Sequence, residues 1–241
     1  MLNNNDDVRE ELLEKYLNKE FVIDKTGVKT VEIIGAQFLA DEPTIFGKVN
    51  EDYVSREIDW YLSQSLFVKD IHKPVPAIWE NVADSEGKIN SNYGYLIFSK
   101  KNGRQFDHVC EELKRNPDSR HANMIYNRPS MHTDYNKGGM SDFICTNNVQ
   151  YFIRDDKVVV DVNMRSNDAV FGFRNDFSWQ KYVQMLVAMS LYETDFANHL
   201  GEIHWKASSL HLYESQFYLL DFYKGTGLYD VTKAEVEQYA G

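Results

Sequence analysis

The side chains best suited to chemistry fall in one short region. Between Ser141 and Asp176 lie Cys145, then Arg165, Ser166 and Asp168, then Gly172 and Asp176. A cysteine attacks carbon as its thiolate, and a nearby guanidinium favours that thiolate. Whether Cys145 and Arg165 are neighbours depends on what joins them. Val149 to Ile153 and Val158 to Met164 are β-branched and aromatic runs, and the break Arg154-Asp155-Asp156-Lys157 reads as a hairpin turn. A hairpin would bring Cys145, at the entry of its first strand, beside Arg165, just past the end of its second. On the residues alone the pair is either an activated nucleophile or a packing thiol beside a surface arginine.

The rest of the chain must position these groups. Asp7 to Leu17 mixes charge with Val8, Leu12, Leu13 and Tyr16, the pattern of an amphipathic helix. Two strand-like runs, Phe21 to Ile23 and Val31 to Gly35, flank a polar loop with Lys25, Gly27 and Lys29. Tyr53 to Leu62 and Gln105 to Lys114 read as helices, and Asn92-Tyr93-Gly94 reads as a glycine between two strand-like halves. Cys110, on the second helix, is expected to be an inert packing thiol. Phe177 to Tyr192 predicts a long buried helix, and Trp205 to Tyr213 a strand on which His211 and Tyr213, two apart, share a face.

At 241 residues, with no linker, repeat or low-complexity tract, the chain reads as one domain that can bury a full core without staples. Two cysteines are too few for a disulfide framework, and the N-terminal stretch has neither a basic nor an apolar signal region. The expected compartment is the reducing cytoplasm, with no membrane association. A net charge of −11 argues against nucleic acid as a partner, since neutralising phosphates requires a basic face. The remaining histidines, His72, His108, His132, His199 and His204, show no metal-ligand spacing, so no metal is expected.

The run Cys145, Gln150, Arg165-Ser166-Asn167-Asp168, Gly172 and Asp176 resembles the thymidylate synthase superfamily, and within it the deoxycytidylate hydroxymethylases of T-even-type bacteriophages. The resemblance extends from about Asp24-Lys25-Thr26-Gly27 to His211-Leu212-Tyr213. It implies an α+β, thymidylate synthase-like fold over residues 1–241, with a mixed or antiparallel sheet forming a homodimer interface, packed helices and a buried central helix.

It also implies roles. Cys145 becomes the nucleophile, and Glu57, within Glu57-Ile58-Asp59-Trp60-Tyr61, organises water near the pyrimidine; as a residue on its own it reads as the wet side of a helix. A carboxylate among aromatic rings has a raised pKa, which suits proton transfer. Substrate contacts fall to Lys25, Tyr93, Gln150, Arg165, Ser166, and His211 with Tyr213 on the sugar. Arg120 reaches the partner's phosphate site across the dimer, with His121 in place of a second arginine. Trp79, Asp168 and Gly172 fall at the folate site. Lys25 stands where synthases have arginine, Val82 where many have a second tryptophan, and Thr146 where they have histidine.

The implied reaction transfers the one-carbon unit of 5,10-methylenetetrahydrofolate, a co-substrate, to carbon 5 of dCMP, with water addition giving hydroxymethyl-dCMP for modified phage DNA. The base is argued at Asp176, an asparagine in synthases. A carboxylate only accepts hydrogen bonds, so it suits the amino group and a protonated ring nitrogen of cytosine. Against a uracil carbonyl it would cost about 1–3 kcal/mol. As a residue on its own, Asp176 could instead cap the helix that follows it. A dCMP methyltransferase, a divergent thymidylate synthase acting on dUMP and a catalytically silent nucleotide-binding protein are the competing readings. Action in a host cytoplasm follows if the gene is a phage's.

Overall fold

The computed structural model describes residues 2–24 and 27–240. The chain divides into two compact units. Lys25 lies outside the described residues.

The first unit comprises the chain up to Asn50, Met164–Lys181 and the chain from Glu202 on. It begins with helix α1 (Asn5–Leu17), whose N-cap Asn4 accepts from the Asp7 amide and whose first turn carries Asp6 and Asp7, satisfying exposed N–H groups and complementing the helix dipole. Strand β1 (Phe21–Ile23) pairs antiparallel with β2 (Lys29–Leu39), and β2 with β7 (Leu200–Tyr213). A two-residue strand, β6 (Asn167–Asp168), runs parallel to β7, setting Asn167 against Leu210 and Asp168 against His211. Helices α8 (Phe217–Thr226) and α9 (Lys233–Ala240) complete the unit.

Its core is built from Val31, Ile33, Phe38, Phe173, Trp205 and Leu212, with the Phe173 ring 5.1 Å from Trp205 and 5.9 Å from Phe38. Arg9 is 1% exposed in this apolar setting. It is tolerated because Glu42 accepts from it at 2.7 Å, the carbonyls of Thr44 and Ile45 accept at 3.4 and 3.2 Å, and its guanidinium lies over Tyr229.

The second unit comprises Glu51–Asn163 and Tyr182–Gly201. It holds helices α2 (Glu51–Ser63), α3 (Ala77–Val82), α4 (Tyr93–Phe98), α5 (Gln105–Arg115) and α6 (Met131–Asp134), and strands β3 (Asn123–Ile125), β4 (Thr146–Arg154) and β5 (Lys157–Met164). Strand β3 pairs antiparallel with β4. The connection of β4 to β5 is two residues, Asp155 and Asp156, with φ of 49° and 59°, the left-handed pair a tight hairpin requires. The expected break is therefore in place.

Two local expectations are corrected. Asn92-Tyr93-Gly94 opens a helix instead of a strand: the Asn92 side chain accepts from the Tyr95 amide at 2.8 Å and caps α4. Gly94 is there because a Cβ at this position would lie 1.8 Å from the Tyr61 carbonyl oxygen, so only glycine lets α4 approach α2 so closely. The long helix, α7 (Phe171–Tyr192), begins six residues earlier than expected, which removes Asp176 from any cap position. Its later half belongs to the second unit, where Val183, Gln184, Val187 and Ala188 form a buried stripe and Gln184 donates to the carbonyls of Val158 and Gly201. Among the described residues no helix is long and apolar enough to cross a membrane.

Candidate active site

In the second unit Cys145 immediately precedes β4, half-buried, with its sulfur 3.8 Å from the Phe143 carbonyl oxygen. Its neighbour Thr146 is fully buried and donates its hydroxyl to Tyr93 Oη at 3.0 Å. Where synthases have an imidazole, this chain has a small hydroxyl that fixes a tyrosine. Tyr93 also stacks on Tyr61 at 5.3 Å and meets the edge of Tyr126 at 5.2 Å, so the ring expected at the pyrimidine is held from three sides.

Glu57 lies on α2 and is 5% exposed, so the wet-face reading is excluded. Tyr53, one turn earlier, donates its hydroxyl to Glu57 Oε1 at 2.5 Å, and the Trp79 indole N–H donates to Tyr53 Oη at 2.9 Å. Burial pushes the carboxyl up to about 7, while hydrogen bonds from Tyr53, Trp79 and Tyr61 oppose that rise. Burial, followed by the charge of Glu57, also raises the Tyr53 phenol, which therefore acts as a neutral donor. Trp79 is half-buried on α3 with its ring edge-on to Trp60 at 5.2 Å, leaving part of the indole available to a flat ligand. Val82, on the same short helix, accepts at its carbonyl from the Ser141 amide.

Arg120 and His121 are exposed on the loop before β3, with the His121 ring 4.0 Å from Glu112. Gln150, on β4, donates its side-chain amide to the Arg120 carbonyl at 2.8 Å, so it positions that loop directly. Cys110 is buried on α5, and burial raises its thiol, as expected of a packing residue.

The first unit carries the remaining candidates. Asp168 accepts from the backbone N–H groups of Val170, Phe171 and Gly172 at 2.9, 3.1 and 3.3 Å. This carboxylate is what starts α7 at Phe171. Asp176, in the second turn of α7, accepts at Oδ2 from Asn167 Nδ2 at 2.8 Å. Asn167 in turn accepts at Oδ1 from the buried indole of Trp205 at 3.2 Å. His211 and Tyr213 do share a face of β7, with ring centres 4.9 Å apart. Ser209 lies 3.3 Å from His211 Nδ1 and donates to Glu32 at 2.5 Å. Burial lowers the His211 pKa, against the opposing charges of Asp168 and Glu32, so the ring is biased towards neutrality. Arg165 and Ser166 join β5 to β6 in the sequence.

Two participants were not anticipated, Tyr53 and Asn167. Tyr53 had a usable signal, since it stands four residues before Glu57 on a predicted helix and so shares its face. Among the described residues no group of three or more His, Cys, Asp or Glu side chains is arranged to hold a metal ion.

The family described as thymidylate synthase matches residues 9–222. The chain is 56% identical over 225 residues to the deoxycytidylate 5-hydroxymethyltransferase of Enterobacteria phage T4, covering 92% of each chain. It is 56% identical over 219 residues to that of phage T2, covering 90% of this chain and 89% of the other. A thymidylate synthase of Francisella philomiragia is 28% identical over 207 residues, covering 80% of this chain and 74% of the other. With its family match spanning most of its length and relatives of this identity covered almost end to end, the chain belongs to the thymidylate synthase family.

Proposed function

We propose that this protein is a deoxycytidylate 5-hydroxymethyltransferase, converting dCMP, methylenetetrahydrofolate and water into 5-hydroxymethyl-dCMP and tetrahydrofolate. The observation that carries the reading is that residue 176, which the family resemblance sets at the base edge, is an aspartate. Its Oδ2 accepts from Asn167, and a carboxylate has only acceptor oxygens, which suits the cytosine amino group and a protonated ring nitrogen. The 56% identity to two phage enzymes of that name supports it.

On this reading the Cys145 thiolate adds to carbon 6 of the pyrimidine, which makes carbon 5 nucleophilic. Methylenetetrahydrofolate, the co-substrate of the family, supplies the one-carbon unit. Trp79 fits such a ligand, because its ring is partly exposed while its N–H is already satisfied by Tyr53. Asp168 and Gly172, at the start of α7, complete the folate contacts. Glu57, titrating about neutrality, takes and returns protons as water adds. Tyr93 and Gln150 line the pyrimidine site, Lys25, Arg165 and Ser166 hold the phosphate, and His211 with Tyr213 holds the sugar hydroxyl. We further propose a homodimer through the sheet, in which exposed Arg120, with His121, serves the partner's phosphate site. The whole chain acts as one catalytic domain, and the phage origin of the relatives supports action in a host cytoplasm.

The test is tritium release from carbon 5 of dCMP and dUMP in parallel, with mass analysis of both products. Release from dCMP with hydroxymethyl product and tetrahydrofolate is expected. A methyl product with dihydrofolate would make the protein a dCMP methyltransferase. Release from dUMP alone would overturn the assignment at Asp176.

A further inference from the structure

We propose that Asn167 is a specificity-determining residue that fixes the hydrogen-bond polarity of residue 176, so that this position presents one kind of group to the base. The inference rests on the reading that Asp176 meets the base, and adds a residue to it.

The argument begins at Trp205, which is fully buried. An indole nitrogen can only donate, so the atom of Asn167 that faces it at 3.2 Å must be the carbonyl oxygen Oδ1. That fixes which way the amide points. Its NH2 group is then directed at Asp176 Oδ2, 2.8 Å away. Asn167 has no room to reverse this arrangement. It is 3% exposed, and its backbone is held in β6 by parallel pairing with Leu210. Gly172, one helical turn before Asp176, packs against it so closely that an added Cβ would lie 3.2 Å from Asn167 Nδ2 and 3.2 Å from Asp168 Cβ.

Residue 176 must therefore present an acceptor to Asn167, and this decides what its other atom presents elsewhere. With aspartate the second atom is another acceptor, suited to an amino group. With asparagine the carbonyl would be turned to Asn167, leaving the NH2 as a donor suited to a carbonyl. Asn167 makes the exchange of Asp for Asn at 176 a defined donor-for-acceptor swap, where an unanchored amide could flip and serve either base.

The experiment measures kcat and KM for dCMP and dUMP by tritium release, on the full chain, for wild type, Asp176→Asn, Asn167→Ala, Trp205→Phe and the double variant Asn167→Ala/Asp176→Asn. Thermal melts monitor folding. Asp176→Asn should reverse the base preference. Asn167→Ala should weaken the wild-type preference for dCMP by roughly tenfold, chiefly through KM for dCMP, as expected when a hydrogen bond to a charged group is lost. Trp205→Phe should act in the same direction, and more weakly, since Asn167 remains but is free to turn. The double variant should discriminate less than Asp176→Asn alone. A reversal in Asp176→Asn that stays equally sharp in the double variant, together with a wild-type dCMP preference left unchanged by Trp205→Phe, would overturn the proposal while leaving the base reading intact. No base preference in wild type, or no change in Asp176→Asn, would overturn the base reading and the proposal with it. If Asn167→Ala fails to fold, Trp205→Phe alone decides by the same criterion.

Discussion

Glu57 and Asp176 are two carboxyls held by the same kind of device. In the second unit Trp79 donates to Tyr53, which donates to Glu57; in the first, Trp205 donates to Asn167, which donates to Asp176. Each relay starts at an indole that can only donate and ends on one carboxyl oxygen. The middle residue differs, and with it the chemistry permitted. A hydroxyl both donates and accepts, so Tyr53 stays a partner to Glu57 whether the carboxyl is ionised or protonated. An anchored amide presents only its N–H groups, so Asn167 requires an acceptor atom from residue 176. One relay suits a proton carrier and the other a recognition element.

The sharpest way to break this comparison is Glu57→Gln. Removing the titrating group should lower hydroxymethyl product formation by about 10²–10⁴-fold, the range of general acid–base contributions, while dCMP binding measured by calorimetry is retained. Equal losses in binding and turnover would mean that Glu57 is structural. The same variant carries a stability signature. Because the folded carboxyl is raised from 4.5 to about 7, the folded state holds an extra proton in that window. Wild-type stability should therefore fall as pH rises from 4.5 to 7, and Glu57→Gln should lack that fall. Denaturant titrations across the window would check it, and parallel curves for the two proteins would contradict it.

Next in size, Asp176→Asn should shift the ratio of kcat/KM for dCMP over dUMP by roughly 10–150-fold towards uracil, the equivalent of one mismatched buried hydrogen bond. A uniform loss on both substrates would make Asp176 a packing residue. Tyr53→Phe should cost less, roughly several-fold at neutral pH. Since the Tyr53 hydrogen bond holds the Glu57 pKa down, its loss should raise that pKa further and move the acidic limb of the rate profile to higher pH. Asn167 has no such handle on Glu57, so Asn167→Ala should leave that limb in place.

The smallest effect is expected at Gly172→Ala. Crowding Asn167 and Asp168 costs about 1–3 kcal/mol, and the gain in helix propensity offsets up to about 1 kcal/mol. A slightly lower melting temperature with a weakened dCMP preference is expected, and an unchanged preference would show that the Asn167 relay tolerates the shift.

These relays also mark where the sequence was legible. The β4 to β5 hairpin, the helices at Glu51–Ser63 and Gln105–Arg115 and the later part of β7, from Trp205 on, follow from periodicity and turn chemistry, both local, whereas the start of β7 at Leu200 lies outside the expected run. The apolar pattern that predicts a helix from Phe177 does not reach the start of α7, where Asp168 supplies the helix with a cap by collecting three backbone N–H groups. Tyr93 was misplaced in a strand because its helix depends on Asn92 as cap and on Gly94 meeting the Tyr61 carbonyl, a contact 33 positions back in the chain that no local pattern records. Likewise Asn167 sat in plain view within Arg165-Ser166-Asn167-Asp168. Its role depends on Trp205, 38 residues on, and only folding places that indole beside it.

The most direct test of the division between the two carboxyls is a pH titration of the Glu57 side chain by carbon-13 NMR, with glutamate labelled at the carboxyl and Glu57→Gln used to assign the resonance. A signal with a midpoint near 7 that is absent from Glu57→Gln and moves upward in Tyr53→Phe is predicted. A midpoint near 4.5, unmoved by the loss of the Tyr53 hydroxyl, would contradict the account.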